Sequence, residues 1–436
     1  MQTVVSITPL KVEADSRAFK IATSIARFGY TSILVEGERS DIDKTRLPFR
    51  LVSMAATSNR EKSHAPLQND ATYAAFARRG FQAWKIVAHL RRLLVHVPGP
   101  LKRVLRPFFR PFLFLFRYLY DSCLRALKCI PKGSLYYLHS PSLFPAAYIL
   151  SKKYDAPLIY DAHDFYAGIK SPRENDSLNF EQRWKHTFYR NVESRLINYA
   201  SAVVTVSNGV ASLQRAAYNR TPTVIRNCHD YRLDHAPRTG IRRAIGLSPD
   251  KFLLVVVGNA KDGMAIREAI QALLDLPSYV HLAFLGNYYG QYWDSVCGLG
   301  LQSRVHLVPP VKPFEVVPFI RGADASLILY YSRSVNYHNC LPNGFFQSIA
   351  AELPLLYPGL PEIKKIARKY QMGIEINPQD SISIGAAVIE LLNYPERLTK
   401  YKKKLAQTRQ DLNWEREEEI LRQLIRDTLF RGNVRS

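Results

Sequence analysis

A chain of 436 residues is long enough for two or three domains of ordinary size. With 47% hydrophobic and 22% charged residues, and only 21 glycines and 26 prolines, it is neither collagen-like nor largely disordered. Lysine and arginine number 60 against 37 aspartates and glutamates, a formal charge of +23, so an anionic partner or surface is expected.

Short apolar, β-branched runs alternate with longer helical patterns along the chain, the signature of βαβ units on parallel sheets. The opening residues, MQTVVSITPLKVEADSR, lack the charged start and long apolar stretch of a secretory signal. Strands are predicted over Thr3 to Ile7 and Ser32 to Val35. Between them Asp15 is a good N-cap for a helix that begins beside Arg17, and its charge complements the helix dipole.

The alternation then breaks. Arg78 to Lys132 carries 13 basic residues against one acid, Asp121, about half of the excess charge of the chain. At 100° per residue Lys102, Arg106, Arg110 and Arg117 fall on one side, and Leu101, Val104, Leu105, Phe108, Phe112, Phe116 and Leu119 on the other. Pro107 and Pro111 argue against one unbroken helix, though either fits the first turn of a shorter one. A basic amphipathic pattern of this kind suits docking on an anionic lipid surface, with a solvated basic face on an ordinary helix as the plainer alternative. Nucleic acid is not expected, because no reading helix, stacking sheet or zinc finger accompanies the charge. No stretch approaches the roughly 20 apolar residues that span a bilayer; PFLFLF is bounded by Arg110 and Arg117. A cytoplasmic protein, soluble or peripheral at a membrane, is therefore expected.

Further strands are predicted over Leu135 to His139, Leu158 to Ala162 and Ala202 to Val206. A second series covers Phe252 to Val257, His281 to Leu285, Arg304 to Val308, Ala325 to Leu329 and Leu355 to Tyr357. Asn227 to Asp250, rich in His, Asp, Arg and Pro, reads as a linker, so two doubly wound α/β domains should meet near residue 235. The doubly wound rule places ligands beyond the carboxyl ends of the strands, in a cleft between the domains. The five cysteines, at 123, 129, 228, 297 and 340, form no metal-binding spacing and are read as reduced, buried thiols.

The most informative stretch is SVNYHNCLPNGFFQSIAAELPLLYPGLPE, from Ser334 to Glu362. It reads as a loop, a helix from about Asn343 whose side chain can serve near the N-cap, and a strand. Gly344 would let another group approach the backbone, and unpaired first-turn amides can hold a phosphate.

This segment resembles the donor-site motif of retaining glycosyltransferases of family 4, whose bacterial surface-polysaccharide branch typically shows NYRYALPNKLFEYLAAGLPV. The resemblance continues in order through DSRAFKIATSIARFGYTSILV, PLIYDAHDF, ASAVVTVSNGV, VVVGNAKDGMAIREAIQAL, HLAFLGNYYG, SRVHLVPPV and LNWEREEEILRQLI. It implies the GT-B fold, two Rossmann-like domains facing each other across a cleft. Residues 1–235 would receive the acceptor, 236–411 would bind the nucleotide sugar, and 412–436 would form a helix crossing back to the first domain.

By the same resemblance His163 is the active-site histidine that hydrogen-bonds the transferred sugar, and Asp161 or Asp164 could orient its ring. Asp15, Arg17 and Asp164 fall on the acceptor side. Lys261 is the candidate cation for the leaving diphosphate, with Gly258 and Asn259 shaping its loop and Arg267 as substitute. Asn343, Gly344 and Phe345 are carried over as the cradle for the phosphates and donor sugar, and Tyr337 and His338 precede them. Gln347 stands where the family has a glutamate for the ribose, and Asn339 where it has an earlier acid; Gln347 keeps one carbonyl acceptor without the charge. Gly344 replaces the usual lysine of PNK, and Glu352 the usual glycine.

The resemblance implies an enzyme without cofactor or metal. It would move a hexose-like residue with retention from a nucleoside diphosphate sugar to a glycan acceptor, probably lipid-linked, in exopolysaccharide, capsule or O-antigen assembly. Two rival readings are a GT-B nucleotide-sugar epimerase and a catalytically silent binding subunit in which the changes at Gln347, Gly344 and Asn339 have eroded donor affinity.

Overall fold

The computed structural model describes residues 1–55, 78, 79, 82, 110, 111, 113–168 and 180–435. Most of the basic segment, including Lys102, Arg106, Leu101, Val104, Leu105, Pro107, Phe108 and Phe112, lies outside them. The chain forms two compact units: Met1–Thr205 with Ala211–Thr223 and Ile420–Ser436, and Val206–Val210 with Val224–Glu419.

The first unit holds a parallel sheet ordered β3-β2-β1-β4-β5-β6-β7. Its strands are β1 (Thr3–Thr8), β2 (Thr31–Glu36), β3 (Arg50–Ser53), β4 (Leu135–Leu138), β5 (Leu158–Ala162), β6 (Ala202–Thr205) and β7 (Thr223–Val224). The chain leaves β1 toward β2 and β3 and returns on the other side at β4, so the reversal of strand order falls between β1 and β4. All of β4 and β5 is buried, as a strand covered on both faces must be. That is why these two strands read as near-continuous apolar runs.

The second unit holds a parallel sheet ordered β10-β9-β8-β11-β12-β13. It comprises β8 (Phe252–Val257), β9 (Val280–Leu285), β10 (Val305–Val308), β11 (Ala325–Leu327), β12 (Leu355–Pro358) and β13 (Gly373–Ile376). Alternate residues of β8 enter different cores, Leu254 and Val256 on one face and Leu253, Val255 and Val257 on the other. Period-two alternation therefore feeds two helical layers rather than one. The strand order reverses between β8 and β11.

Three strands were not anticipated: β3, β7 and β13. β7 and β13 bury few of their side chains, and all three are short edge strands with little apolar signal. The thiols also differ from expectation. Cys123 and Cys228 are buried, but Cys129 and Cys340 are only half-buried and Cys297 is exposed. Among the described residues no helix is long and apolar enough to cross a membrane.

Candidate active site

Two groups of residues occupy the carboxyl edges of the sheets where strand order reverses, the place at which open α/β sheets bind ligands. In the first unit the centre is Asp161, the penultimate residue of β5. Arg17, in the helix Ser16–Arg27, donates to it from Nε at 2.9 Å and from a terminal nitrogen at 3.0 Å. Tyr137 of β4 donates its hydroxyl at 3.1 Å. Burial would raise the Asp161 pKa, yet the Arg17 charge and the nearby histidines hold it down at about 2.

Two imidazoles complete the cluster. His139 follows β4 and His163 follows β5, with His139 Nδ1 and His163 Nε2 3.2 Å apart. Asp161 Oδ2 lies 3.7 Å from the first and 3.8 Å from the second. His139 is fully buried, and that burial pushes its pKa down to about 4 against the pull of Asp15 and Asp161, so it is neutral at physiological pH. His163 keeps 27% of its side chain exposed. Together His139, Asp161 and His163 offer three donor atoms within 4.8 Å of one another, a spacing a metal ion could use. Both oxygens of Asp161 are already engaged by Arg17, so a cation there would have to displace a buried guanidinium.

Asp15 lies at the other side of the reversal. Its carboxylate accepts from Ala18 N at 3.0 Å, capping the helix Ser16–Arg27, and from the Thr8 hydroxyl at 2.7 Å. Burial opposes its ionisation, but His163, His139 and these hydrogen bonds lower its pKa. Asp164 is half-buried beside His163. The turn that follows, Tyr166–Gly168, is fastened from below by Glu193 of the helix Phe180–Tyr199, which accepts from Tyr166 N, from Ala167 N at 3.1 Å and from the Tyr218 hydroxyl at 2.9 Å. Burial is the main cause that lifts Glu193 to about 7.

In the second unit the helix Asn343–Ala350 starts against the end of β8. A Cβ on Gly344 would collide with the carbonyl oxygen of Val257, so only glycine permits this approach. The helix starts at Asn343 as expected, but its cap is Pro342, which offers no side-chain acceptor to the first-turn amides. Asn343 is itself helical, and its Oδ1 accepts from Asn227 at 2.6 Å. Phe345 is fully buried in the core with Phe346, while Gln347 is half-buried with no side-chain partner among the described residues.

Gly258 and Asn259 follow β8, and both are exposed. Asn259 Oδ1 accepts from Asn287 N at 2.9 Å, and the Tyr289 hydroxyl donates to Gly258 O at 2.8 Å, so the loop after β9 braces the loop after β8. Lys261 is exposed, and its ammonium has no partner among the described residues. Arg267 lies apart from that loop, donating to Ser295 at 3.3 Å and lying over the Tyr292 ring. Tyr337 packs beside Tyr330 and covers Gly263. His338 pairs with Ser332 at 3.1 Å. The Asn339 carbonyl accepts from Ser207 at 2.8 Å, and its side chain lies against Gly209.

Sequence reasoning thus collected the loops of each edge but missed His139, Tyr137 and Thr8. Only His139 carried a signal, an imidazole immediately after a buried strand, and it was absorbed into that strand.

Residues 71–232 match Glycosyltransferase Family 4. Sucrose-phosphate synthase from Thermosynechococcus elongatus superposes with a TM-score of 0.65 at 14% identity, covering 98% of this chain and 99% of that one. HepE of Anabaena, solved with UDP-glucose, gives 0.65 at 13% identity over 98% and 100%. The fold is GT-B. The GT-B enzyme WaaG, a glycosyltransferase involved in lipopolysaccharide biosynthesis, is also similar, at 0.58 and 14% identity over 97% and 99%. No curated protein matches the chain in sequence.

Proposed function

We propose that the chain is a glycosyltransferase that moves a hexose-like residue from a nucleoside diphosphate sugar to a glycan acceptor with retention of configuration. The observation that carries this reading is the approach of the helix Asn343–Ala350 to the end of β8, which only Gly344 allows and which leaves first-turn amides without a side-chain cap beside the Gly258–Asn259 loop. Such a terminus suits a diphosphate. In this reading Lys261 supplies the cation for the charge that develops as the glycosidic bond breaks, and Gln347 accepts from the ribose through its carbonyl oxygen. His163 hydrogen-bonds the transferred sugar, Asp161 sets the field around it, and Asp15 and Asp164 lie on the acceptor side. The complexes of HepE with UDP and with UDP-glucose make a uridine nucleotide the first donor to try.

The acceptor in this proposal is a glycan on a polyprenyl diphosphate lipid, met at an anionic membrane surface. The basic composition of Arg78 to Lys132 supports it, with 13 basic residues against one acid. The reaction belongs to surface-polysaccharide assembly and needs no metal. A panel of UDP, GDP and dTDP sugars with lipid-linked acceptors, scored by product mass, tests the proposal. A mass increase of one sugar supports it. No product together with no saturable donor binding overturns it in favour of a silent subunit, and interconversion of the donor without acceptor identifies an epimerase.

A further inference from the structure

Nothing above gives His139 a task, although its two ring nitrogens have unlike surroundings. Nδ1 lies 3.2 Å from His163 Nε2 and 3.7 Å from Asp161 Oδ2. Nε2 is buried and has no hydrogen-bond partner among the described residues. We propose that His139 is a positioning residue whose Nδ1–H donates to His163 Nε2, fixing His163 as the Nδ1–H tautomer and presenting that hydrogen to an oxygen of the substrate. The inference rests on the reading of His163 as the residue that meets the transferred sugar.

A neutral imidazole carries a single N–H. Placed on Nδ1 of His139, that hydrogen meets the lone pair of His163 Nε2 within the field of the Asp161 carboxylate. Placed on Nε2, it would be a buried donor with nothing to receive it, which is the costly arrangement. The charged and titratable groups facing His139 are Asp15, Asp161, Arg17 and His163, with the Tyr137 ring tilted against it at 5.0 Å. Asp161 in turn is held by Arg17 and Tyr137, so it cannot turn away to accept elsewhere. Each contact therefore limits the next, from the guanidinium in the core out to the partly exposed His163 ring. Because the second nitrogen of a histidine is set by what its first nitrogen meets, the donor offered to substrate is decided at His139.

Nitrogen–proton NMR on the full-length, histidine-labelled protein near neutral pH reads the tautomers without any substrate, with assignments from His139→Phe and His163→Ala. The expected result is His163 protonated at Nδ1 alone. Loss of that bias in His139→Phe and its return in His139→Asn, whose amide can donate from the place of Nδ1, complete the case. A wild-type His163 that carries its proton on Nε2 overturns the inference, whether or not the variants fold. With the donor identified by the panel, His139→Phe should lower kcat about tenfold, the scale of one hydrogen bond lost, leave donor KM within about twofold, and be largely rescued by His139→Asn. Full turnover in His139→Phe, beside a crippled His163→Ala, overturns this inference alone. Full turnover in His163→Ala shows instead that the underlying reading of His163 has failed.

Discussion

The two sheet edges hold charge in opposite ways. At the edge of the first sheet, Arg17 and Asp161 are buried and bonded to each other through two contacts, and Tyr137 adds a third. At the edge of the second, Lys261 stands in solvent; Asn259 and Tyr289 brace the loop that carries it, and the ion pair of the neighbouring Asp262 with Arg333 is exposed. A buried pair is completed when the chain folds and has nothing left to give an incoming charge. An exposed ammonium contributes little to folding and remains available to an anion. The first edge should therefore answer to tests of stability and the second to tests of turnover.

The largest break in that contrast comes from Asp161→Asn. It leaves the Arg17 guanidinium buried without its countercharge, and a loss of about 3–5 kcal/mol in denaturant unfolding is expected. A loss below about 1 kcal/mol would mean that the pair is solvated in solution. Lys261→Ala should do the reverse. Turnover falls about 100-fold, as when other preorganised electrostatic groups are removed, while stability stays within about 0.5 kcal/mol of the parent. Unchanged turnover would remove Lys261 from the diphosphate site and leave Arg267 as its substitute.

The same contrast explains what a reader of the bare sequence could see. β5 and β8 are apolar, uninterrupted and bounded by loops, so both were placed to the residue, and β1, β4 and β9 to within one or two. Gly258, Asn259 and Lys261 follow their strand and Asn343 to Gln347 lie in their helix, local placements that the sequence pattern shows, while their grouping as a donor site came from the family resemblance. The pairing of Arg17 with Asp161 spans 144 residues and depends on β1, β4 and β5 being neighbours, which no local pattern states. LYYLHS runs on without a break, so the apolar pattern alone extends β4 to His139, one residue past its end at Leu138. The helix begins at Asn343, where the sequence pattern places it, but its cap is Pro342, which offers no side-chain acceptor.

Acid and base limits sharpen the picture of the first edge. Asp161 titrates at about 2 in the folded chain, below the ordinary 3.8, so the stability it contributes is lost as pH falls through that interval. His139 titrates at about 4 rather than 6.5, and the unfolded chain gains a proton that the folded chain refuses, so stability also declines as pH falls from 6.5 toward 4. Glu193 has the opposite sign. Its folded pKa of about 7 exceeds the ordinary 4.5, so its contribution is complete below 4.5 and is lost as pH rises through 7. In thermal melts across this range, Glu193→Gln should gain on the parent steadily from pH 4.5 to 7. A gap that stays constant with pH would show that Glu193 is ionised in the folded protein and holds the Tyr166–Gly168 turn as a carboxylate.

The smallest effect concerns the basic segment at the one stretch where its geometry is described. Arg117 opens the π-helical turn Arg117–Asp121 and is exposed, while the next residue, Tyr118, points inward and donates its hydroxyl to Pro141 O at 3.0 Å. Just before this turn Phe114 packs edge-on against Trp184, Phe188 and Tyr189, while Phe116 lies beside Tyr120 of the same segment, both half-buried. The exposed residue of the turn nearest these rings is the charged Arg117. Arg117→Gln should weaken partitioning onto vesicles containing phosphatidylserine by on the order of 1 kcal/mol, about fivefold, and the difference should shrink as salt rises. Equal binding of parent and variant at low salt would remove Arg117 from any membrane contact, and salt-insensitive binding of both would replace charge by apolar insertion as its cause.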